Sequence, residues 1–307
     1  MRPSYLNRDK QPPLLVQGDT VGILSTARSV EKKQLYDASK FLENLGLTVR
    51  LGSTIGLFEH QMAGTDAQRA EDFQAMLDDP EIKAIWCAKG GYGTVRIIDQ
   101  LDFSKFLQNP KWIIGYSDVT VMHNHVHNLG IATLHAQMAV GFEKVSASAK
   151  ESLKKALFGE SLNHTIPTCN LNRLGTAEGI LVGGNLSILY SLCGSASALN
   201  TAGKILFIED LDEYLYHIDR MMMNLKRNGM LQNLAGLIVG GMTQMNDNAV
   251  PFGKTTEEII LNAVQEYDYP VCFDFPAGHV VDNRTLILGR KAQLQITSEI
   301  VELNFDH

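Results

Sequence analysis

The chain has 307 residues, 45% of them hydrophobic and 20% charged, a balance that gives room for two ordinary domains and excludes a disordered chain. Its formal net charge of −7 comes without a Lys/Arg-rich stretch, which excludes a nucleic-acid partner and favours small-molecule or peptide chemistry. The four cysteines, Cys87, Cys169, Cys193 and Cys272, stand alone, so neither a disulfide framework nor a zinc site is expected; with no signal-peptide core between Met1 and Pro13 and no run near the roughly 18 apolar residues of a membrane span, the expected location is the cytoplasm, with no membrane partner.

From Leu14 to about Ala139 short apolar runs alternate with amphipathic helices. Val21 to Ser25 reads as a strand and Val30 to Leu45 as a helix with Leu35, Ala38, Leu42 and Leu45 on one face. Leu47 to Leu51 is a second strand and Asp66 to Leu77 a second helix. Ala84 to Ala88 is a strand, Thr94 to Leu101 a helix, and Trp112 to Ile114 and Ile131 to Leu134 are strands flanking a helix from Asp118 to Asn128. This alternation predicts a parallel sheet covered on both faces. Val145 to about Arg173, with one helix from Ala149 to Phe158, reads as a linker.

A second region opens near Gly175. Gly179 to Tyr190 reads as strand, turn and helix, Lys204 to Glu209 as a strand, His217 to Met230 as a helix with a Met-rich face, Gly236 to Gly240 as a strand and Thr256 to Tyr267 as a helix. The pattern then changes to short strands, Val271 to Phe273, Thr285 to Leu288, Ala292 to Ile296 and Ile300 to Asn304, joined by turns. The second domain is therefore mixed α/β with antiparallel additions, and the chain has no internal repeat.

In α/β sheets ligands gather at the carboxyl ends of strands. Lys89 to Gly93, Ser117, Gly183 to Asn185, Glu209 with Asp210, and Gly278 with His279 all fall there. Ser117 sits at a tight strand-to-helix turn, the setting of a nucleophile elbow, although Val119 stands where the G-x-S-x-G signature has glycine. The other reading is that Ser117 or Asp118 caps the following helix. A serine nucleophile needs an imidazole to take its proton and an acceptor to hold that imidazole.

Of nine histidines, His279 is well placed in its Pro276 to His279 loop. His123 and His127 share a helix face at a metal-ligand spacing with His125 between them, but Asn124 replaces the glutamate of H-E-x-x-H. Glu209, Asp210, Asp212 and Glu213 crowd one strand end, and spacing does not choose among them; Asp212 or Glu213 is expected to cap the next helix. The Lys89 to Gly93 loop lacks both phosphate-binding fingerprints, leaving a plain turn or a backbone N–H offered to an oxyanion.

Taken together, the segment from Phe58 to Gly93 with Arg96 to Asp99, Gly115 to Asp118, Gly183 to Asn185, Phe207 to Glu213 and Pro276 to His279 resembles, in order, the motifs of the LD-carboxypeptidase family. These are serine peptidases that include murein tetrapeptide carboxypeptidase and the microcin C self-immunity proteins. The resemblance implies an α/β fold in which an N-terminal parallel-sheet domain (residues 1–160) carries Ser117, a C-terminal β/β/α domain (175–307) carries Glu209 and His279, and the site lies in the cleft. It implies a Ser117-His279-Glu209 triad, an oxyanion hole from the N–H of Asp118 and one of Gly90 and Gly91, no metal or cofactor, a muropeptide substrate and a homodimer. Release of the terminal D-alanine of murein tetrapeptide is the expected activity, because Trp86 and Trp112 lie in core strands and the segment from Glu209 to His217 is short. The alternatives are hydrolysis of aminoacyl-nucleotide conjugates and a silent muropeptide-binding protein. Arg96, Asn185 and Arg284 are the candidates by residue type for holding the terminal carboxylate.

Overall fold

The computed structural model describes residues 10–305, so the leaderless reading of the N-terminus falls, up to residue 9, outside the described residues. The chain divides into two compact units. One runs to Glu160 and takes back Val281–Ile287; the other holds Ser161–Val280 and the chain from Leu288 onward. The fold class is the expected α/β, with one parallel-type and one mixed sheet.

In the first unit, β1 (Thr20–Leu24), α1 (Tyr36–Asn44), β2 (Thr48–Leu51), α2 (Asp66–Asp78), β3 (Ile82–Cys87), α3 (Ser104–Gln108), β4 (Trp112–Gly115), α4 (Thr120–Asn128), β5 (Thr133–His135) and α5 (Ala147–Phe158) follow in order. The β2–β1–β3–β4–β5 neighbours all pair in parallel. Ala84 to Cys87 and Trp112 to Ile114 are shielded without alternation, which requires cover on both faces of the sheet. Two sequence readings change here. Thr94 to Leu101 forms only two 3-10 turns, Thr94–Arg96 and Ile98–Gln100, and the first third of the helix expected from Val30 is a 3-10 turn, Lys32–Leu35. Neither of the turns Thr94–Arg96 and Ile98–Gln100 has a side-chain cap, and β-branched Thr94, Val95, Ile97 and Ile98 resist continued helix.

The second unit contains β6 (Asn163–Pro167), β7 (Gly175–Asn185), α6 (Leu186–Leu192), β8 (Ile205–Leu211), α7 (Leu215–Arg227), β9 (Gly236–Thr243), α8 (Thr256–Ala263), β10 (Val271–Cys272), β12 (Lys291–Ile296) and β13 (Ile300–Phe305), with β11 (Leu286–Leu288) lying between β10 and β12 in the chain. The sheet order is β10-β9-β8-β7-β12-β13-β6. Strands β7 to β10 pair in parallel, and β12, β13 and β6 are added antiparallel. The core packs Leu206, Ile208, Leu237 and Val239 with Ile218, Met221, Met222 and Leu225 of α7 and Ile259 and Ile260 of α8.

Two late-chain readings are corrected. Residues 163–167, within the stretch read as linker, form the edge strand β6. Strand β11 joins β5 in the first sheet rather than extending the second. Three apolar residues carry no mark of which sheet they will enter.

Candidate active site

The carboxyl end of β4 is built to expose one side chain. Ser117 follows Gly115 and Tyr116 with φ at 59°, a left-handed conformation that costs a non-glycine residue of order 1–3 kcal/mol and persists where surrounding structure imposes it. Two contacts impose it. A methyl group on Gly115 would fall 2.9 Å from Val119 Cγ2, so the turn closes that tightly only on glycine. His123, buried on α4, places Nε2 2.9 Å from the Gly115 carbonyl and Nδ1 2.8 Å from Thr133 Oγ1. A carbonyl only accepts, so Nε2 carries the proton and Nδ1 accepts from the threonine. Burial pulls the His123 pKa down to about 4 despite the Gly115 bond, and the neutral ring ties the helix back to the strand end before the serine.

The capping reading does not hold. The 3-10 turn Ser117–Val119 is preceded by Tyr116 and α4 by Val119, with no side-chain cap at either, and Ser117 and Asp118 lie inside the turn. Nor do the three histidines form a metal site: both His123 nitrogens are engaged, His125 lies 5.1 Å from the Phe103 ring, and no group of metal-holding side chains occurs among the described residues.

Asp118 turns its carboxylate inward, where it is almost completely shielded. Oδ2 accepts from the backbone N–H of Thr94 (2.9 Å) and from Thr94 Oγ1 (2.6 Å). Burial pushes its pKa up, opposed by those bonds, a Gly93 bond and the Arg69 charge. The side chain thus fastens the serine turn to the end of the glycine loop. Gly91 has φ at 102°, and a methyl on Gly90 would fall 3.4 Å from the Asp118 nitrogen, so the Gly90 backbone lies beside that N–H.

The end of β8 carries the second set of groups. Glu209 pairs with Asn185 of β7 and lies at a register shift against β9, and such irregularities re-aim side chains at strand ends. Its carboxylate is fully buried. Oε2 accepts from His279 Nδ1 at 2.6 Å and from the His279 backbone N–H at 3.2 Å, while Oε1 has no hydrogen-bond partner among the described residues. Gly278, with φ at 103°, is required by this approach: a methyl there would stand 2.7 Å from Glu209 Cβ and Oε2. Because the carboxylate accepts at Nδ1, that nitrogen holds the proton and Nε2 is the basic one. Burial lowers the His279 pKa, but the hydrogen bond and charge of Glu209, with the charge of Asp210, raise it above its ordinary value overall.

Asp210 accepts from Asn185 Nδ2 and the Ser187 N–H, each at 2.9 Å. Burial, then the charge of Glu209, pushes it up to about 7.

Several of the candidate residues have structural partners within the chain. Asn185 caps α6 by accepting from the Ile188 N–H and is buried, the ordinary use of asparagine at a strand-to-helix junction. Arg96 is a bidentate partner of Asp66, whose position in the first turn of α2 fixes it beside the arginine, and Arg284 pairs with Asp282. Asp212 accepts from Asn246, and Glu213 bonds His217, so neither caps α7. The inward roles of Asp118 and His123 escaped sequence reading, because each residue type is as common on surfaces as in such clamps.

Comparison with known proteins matches residues 21–136 to the LD-carboxypeptidase N-terminal domain and residues 178–294 to the LD-carboxypeptidase C-terminal domain. The chain belongs to the LD-carboxypeptidase family. Within that family it is 37% identical over 294 residues to the "Probable murein peptide carboxypeptidase" of Bacillus subtilis, covering 92% of this chain and 91% of that one. It is 25% identical to the microcin C7 self-immunity protein MccF of Escherichia coli, over 95% of this chain and 94% of the relative. The crystal structure of muramoyltetrapeptide carboxypeptidase from Oxalobacter formigenes has the same fold, with a TM-score of 0.85 at 24% identity over 94% of this chain and 99% of that one. Among the described residues no helix is long and apolar enough to cross a membrane.

Proposed function

We propose that this LD-carboxypeptidase family member is a serine hydrolase that releases the terminal D-alanine of murein tetrapeptide, with Ser117 as nucleophile, His279 as base and Glu209 as the acceptor that orients it. The observation that carries the reading is the Glu209–His279 couple: two N–H groups of one residue on one buried oxygen fix the imidazole in the tautomer a general base needs. Ser117 Oγ attacks the scissile carbonyl while His279 Nε2 takes its proton, and the tetrahedral oxyanion is held by the N–H of Asp118 and one of Gly90 and Gly91. Collapse passes the proton from Nε2 to the departing amine of D-alanine, and water then attacks the Ser117 ester with the same nitrogen as base. The scheme invokes no metal or cofactor.

The identity to the murein peptide relative supports the peptide substrate. Trp86 and Trp112, which could otherwise stack on a nucleobase, are core residues whose indole N–H groups bond the Gln137 and Pro13 carbonyls. A cytoplasmic, homodimeric enzyme of cell-wall recycling is part of the same reading.

The test is release of D-alanine from L-Ala-γ-D-Glu-meso-diaminopimelate-D-Ala by the unaltered protein and by Ser117→Ala. The expected result is release by the first and a loss on the order of 10³-fold or more in the second. No release by either, together with hydrolysis of an aminoacyl-nucleotide amide, would move the substrate to the immunity-protein class. Equal release by both would remove Ser117 from the mechanism.

A further inference from the structure

An exopeptidase must recognise a terminal carboxylate, and the three side chains that residue type suggests for it are otherwise engaged. Arg96 is bound to Asp66, Arg284 to Asp282, and Asn185 caps a helix. Peptide geometry says where the missing cation belongs. In the substrate the carboxylate lies one residue beyond the scissile carbonyl, and one residue advances the chain by about 3.8 Å at most. The cation must therefore stand next to the oxyanion donors.

Arg28 does. It follows the carboxyl end of β1, and its side chain lies across Gly91, where a methyl group would fall 2.5 Å from Nε and 2.7 Å from Cδ. The neighbouring Gly90 is the residue whose backbone adjoins the Asp118 N–H. The main chain around Arg28 is pinned: Ser25 Oγ donates to the Arg28 carbonyl at 2.6 Å, the Ala63 N–H to Ala27 O at 3.0 Å, and the Ser29 N–H to Gln61 O at 2.9 Å. The side chain is exposed, and its guanidinium takes part in none of the ion pairs or hydrogen bonds among the described residues. A rigid base, a stem resting on the oxyanion loop and an uncommitted planar fork of donors are what a carboxylate site needs.

We propose that Arg28 is the specificity residue that holds the substrate's terminal α-carboxylate, so that the site takes peptides ending in a free acid. The inference rests on Ser117 being the nucleophile and on the oxyanion lying at the Gly90–Gly91 loop. Lys89, next to Gly90 in the chain, is the rival cation.

The experiment compares the tetrapeptide acid with its C-terminal amide for the unaltered protein, Arg28→Gln, Arg28→Lys and Lys89→Gln, with fluorophosphonate labelling of Ser117 in each. The unaltered protein should prefer the acid. Arg28→Gln should raise KM for the acid on the order of 10- to 100-fold, the size of a lost charge-assisted hydrogen-bond pair, and leave the amide and the labelling rate nearly unchanged. Arg28→Lys should recover part of the preference, because it returns the charge without the fork. Equal losses on acid and amide, no loss on either, or an acid preference abolished by Lys89→Gln and kept in Arg28→Gln would each overturn the assignment. If the unaltered protein neither takes the label nor releases alanine, the catalytic reading itself fails and this inference with it; labelling with an unaltered acid preference in Arg28→Gln sinks the inference alone.

Discussion

Glu209, Asp210 and His279 occupy one strand end and one loop, so the two acidic side chains act on the protonation of the imidazole. In its proposed role as base His279 works only when neutral, so activity should fall as pH falls through its pKa. Because Glu209 and Asp210 outweigh burial, the acidic limb of kcat/KM should have its midpoint above 6.5. Glu209→Gln removes the two largest raising influences and leaves burial opposed only by the smaller effect of the Asp210 charge, so the limb should move below 6.5 while the rate falls by orders of magnitude; a pH profile with an unmoved limb would reject the coupling. Stability carries a second signature. Asp210, at about 7 in the folded chain against 3.8 ordinarily, binds more protons folded than unfolded between those values, so its contribution is present at low pH and lost as pH rises from about 4 to about 7. His123 has the opposite sign: held near 4 against 6.5, it adds stability as pH rises across that interval. The two slopes offset each other, so the measurement is a difference. Urea midpoints should favour Asp210→Asn over the unaltered protein increasingly from pH 4 to pH 8; a pH-independent difference would show that Asp210 stays ionised throughout.

At the scale of elements the question is what holds a serine turn and a glycine loop in register, and the answer is the carboxylate of Asp118 on Thr94. Asp118→Ala strands the buried Thr94 N–H, which costs about 1–3 kcal/mol, and frees the loop to drift from the Asp118 nitrogen. We expect kcat to fall at least about 10-fold with little change in KM, as when an oxyanion donor is misplaced. Asp118→Asn should lose less, since its amide oxygen can replace Oδ2 toward Thr94. Thr94→Val should lose least, because the backbone bond survives; a reversed order in kcat would disprove the clamp. The strand and helix alternation of both units was legible in the sequence, because buried parallel strands such as Trp112 to Ile114 read as unbroken apolar runs. The elbow was legible as a turn but not as a strained one: Ser117 at φ 59° depends on Gly115 meeting Val119 and on His123 reaching the Gly115 carbonyl, contacts that join residues by tertiary packing. The weak helices failed for a local reason, since Thr94 to Leu101 has the apolar spacing of a helix but the β-branched residues and missing caps of a pair of turns.

At the scale of the whole molecule the chain returns late to its first unit. After β10, residues Val281–Ile287 leave the second unit, and β11 takes the edge of the first sheet beside β5, so the boundary at Glu160 does not close a self-sufficient domain. Leu286, Ile287 and Leu288 are all buried, each contributing roughly 1.5–3 kcal/mol. The Thr285 N–H donates to Ser152 Oγ of α5 at 2.8 Å, Asp282 accepts from Ser146 Oγ at the start of the same helix, and the Val281 carbonyl accepts from the Ser146 N–H. Removing the segment uncovers β5 and leaves those Ser146 and Ser152 groups to water, a loss on the order of 5 kcal/mol against a total domain stability of about 5–15 kcal/mol. A fragment ending at residue 160 should therefore show a weak, broad urea transition by circular dichroism. The same fragment carrying residues 281–288 on a Gly/Ser linker should unfold cooperatively at a clearly higher midpoint. Equal midpoints would mean that the parallel strands β1 to β5 suffice, and that the returning strand is a decoration of the first unit rather than part of its core.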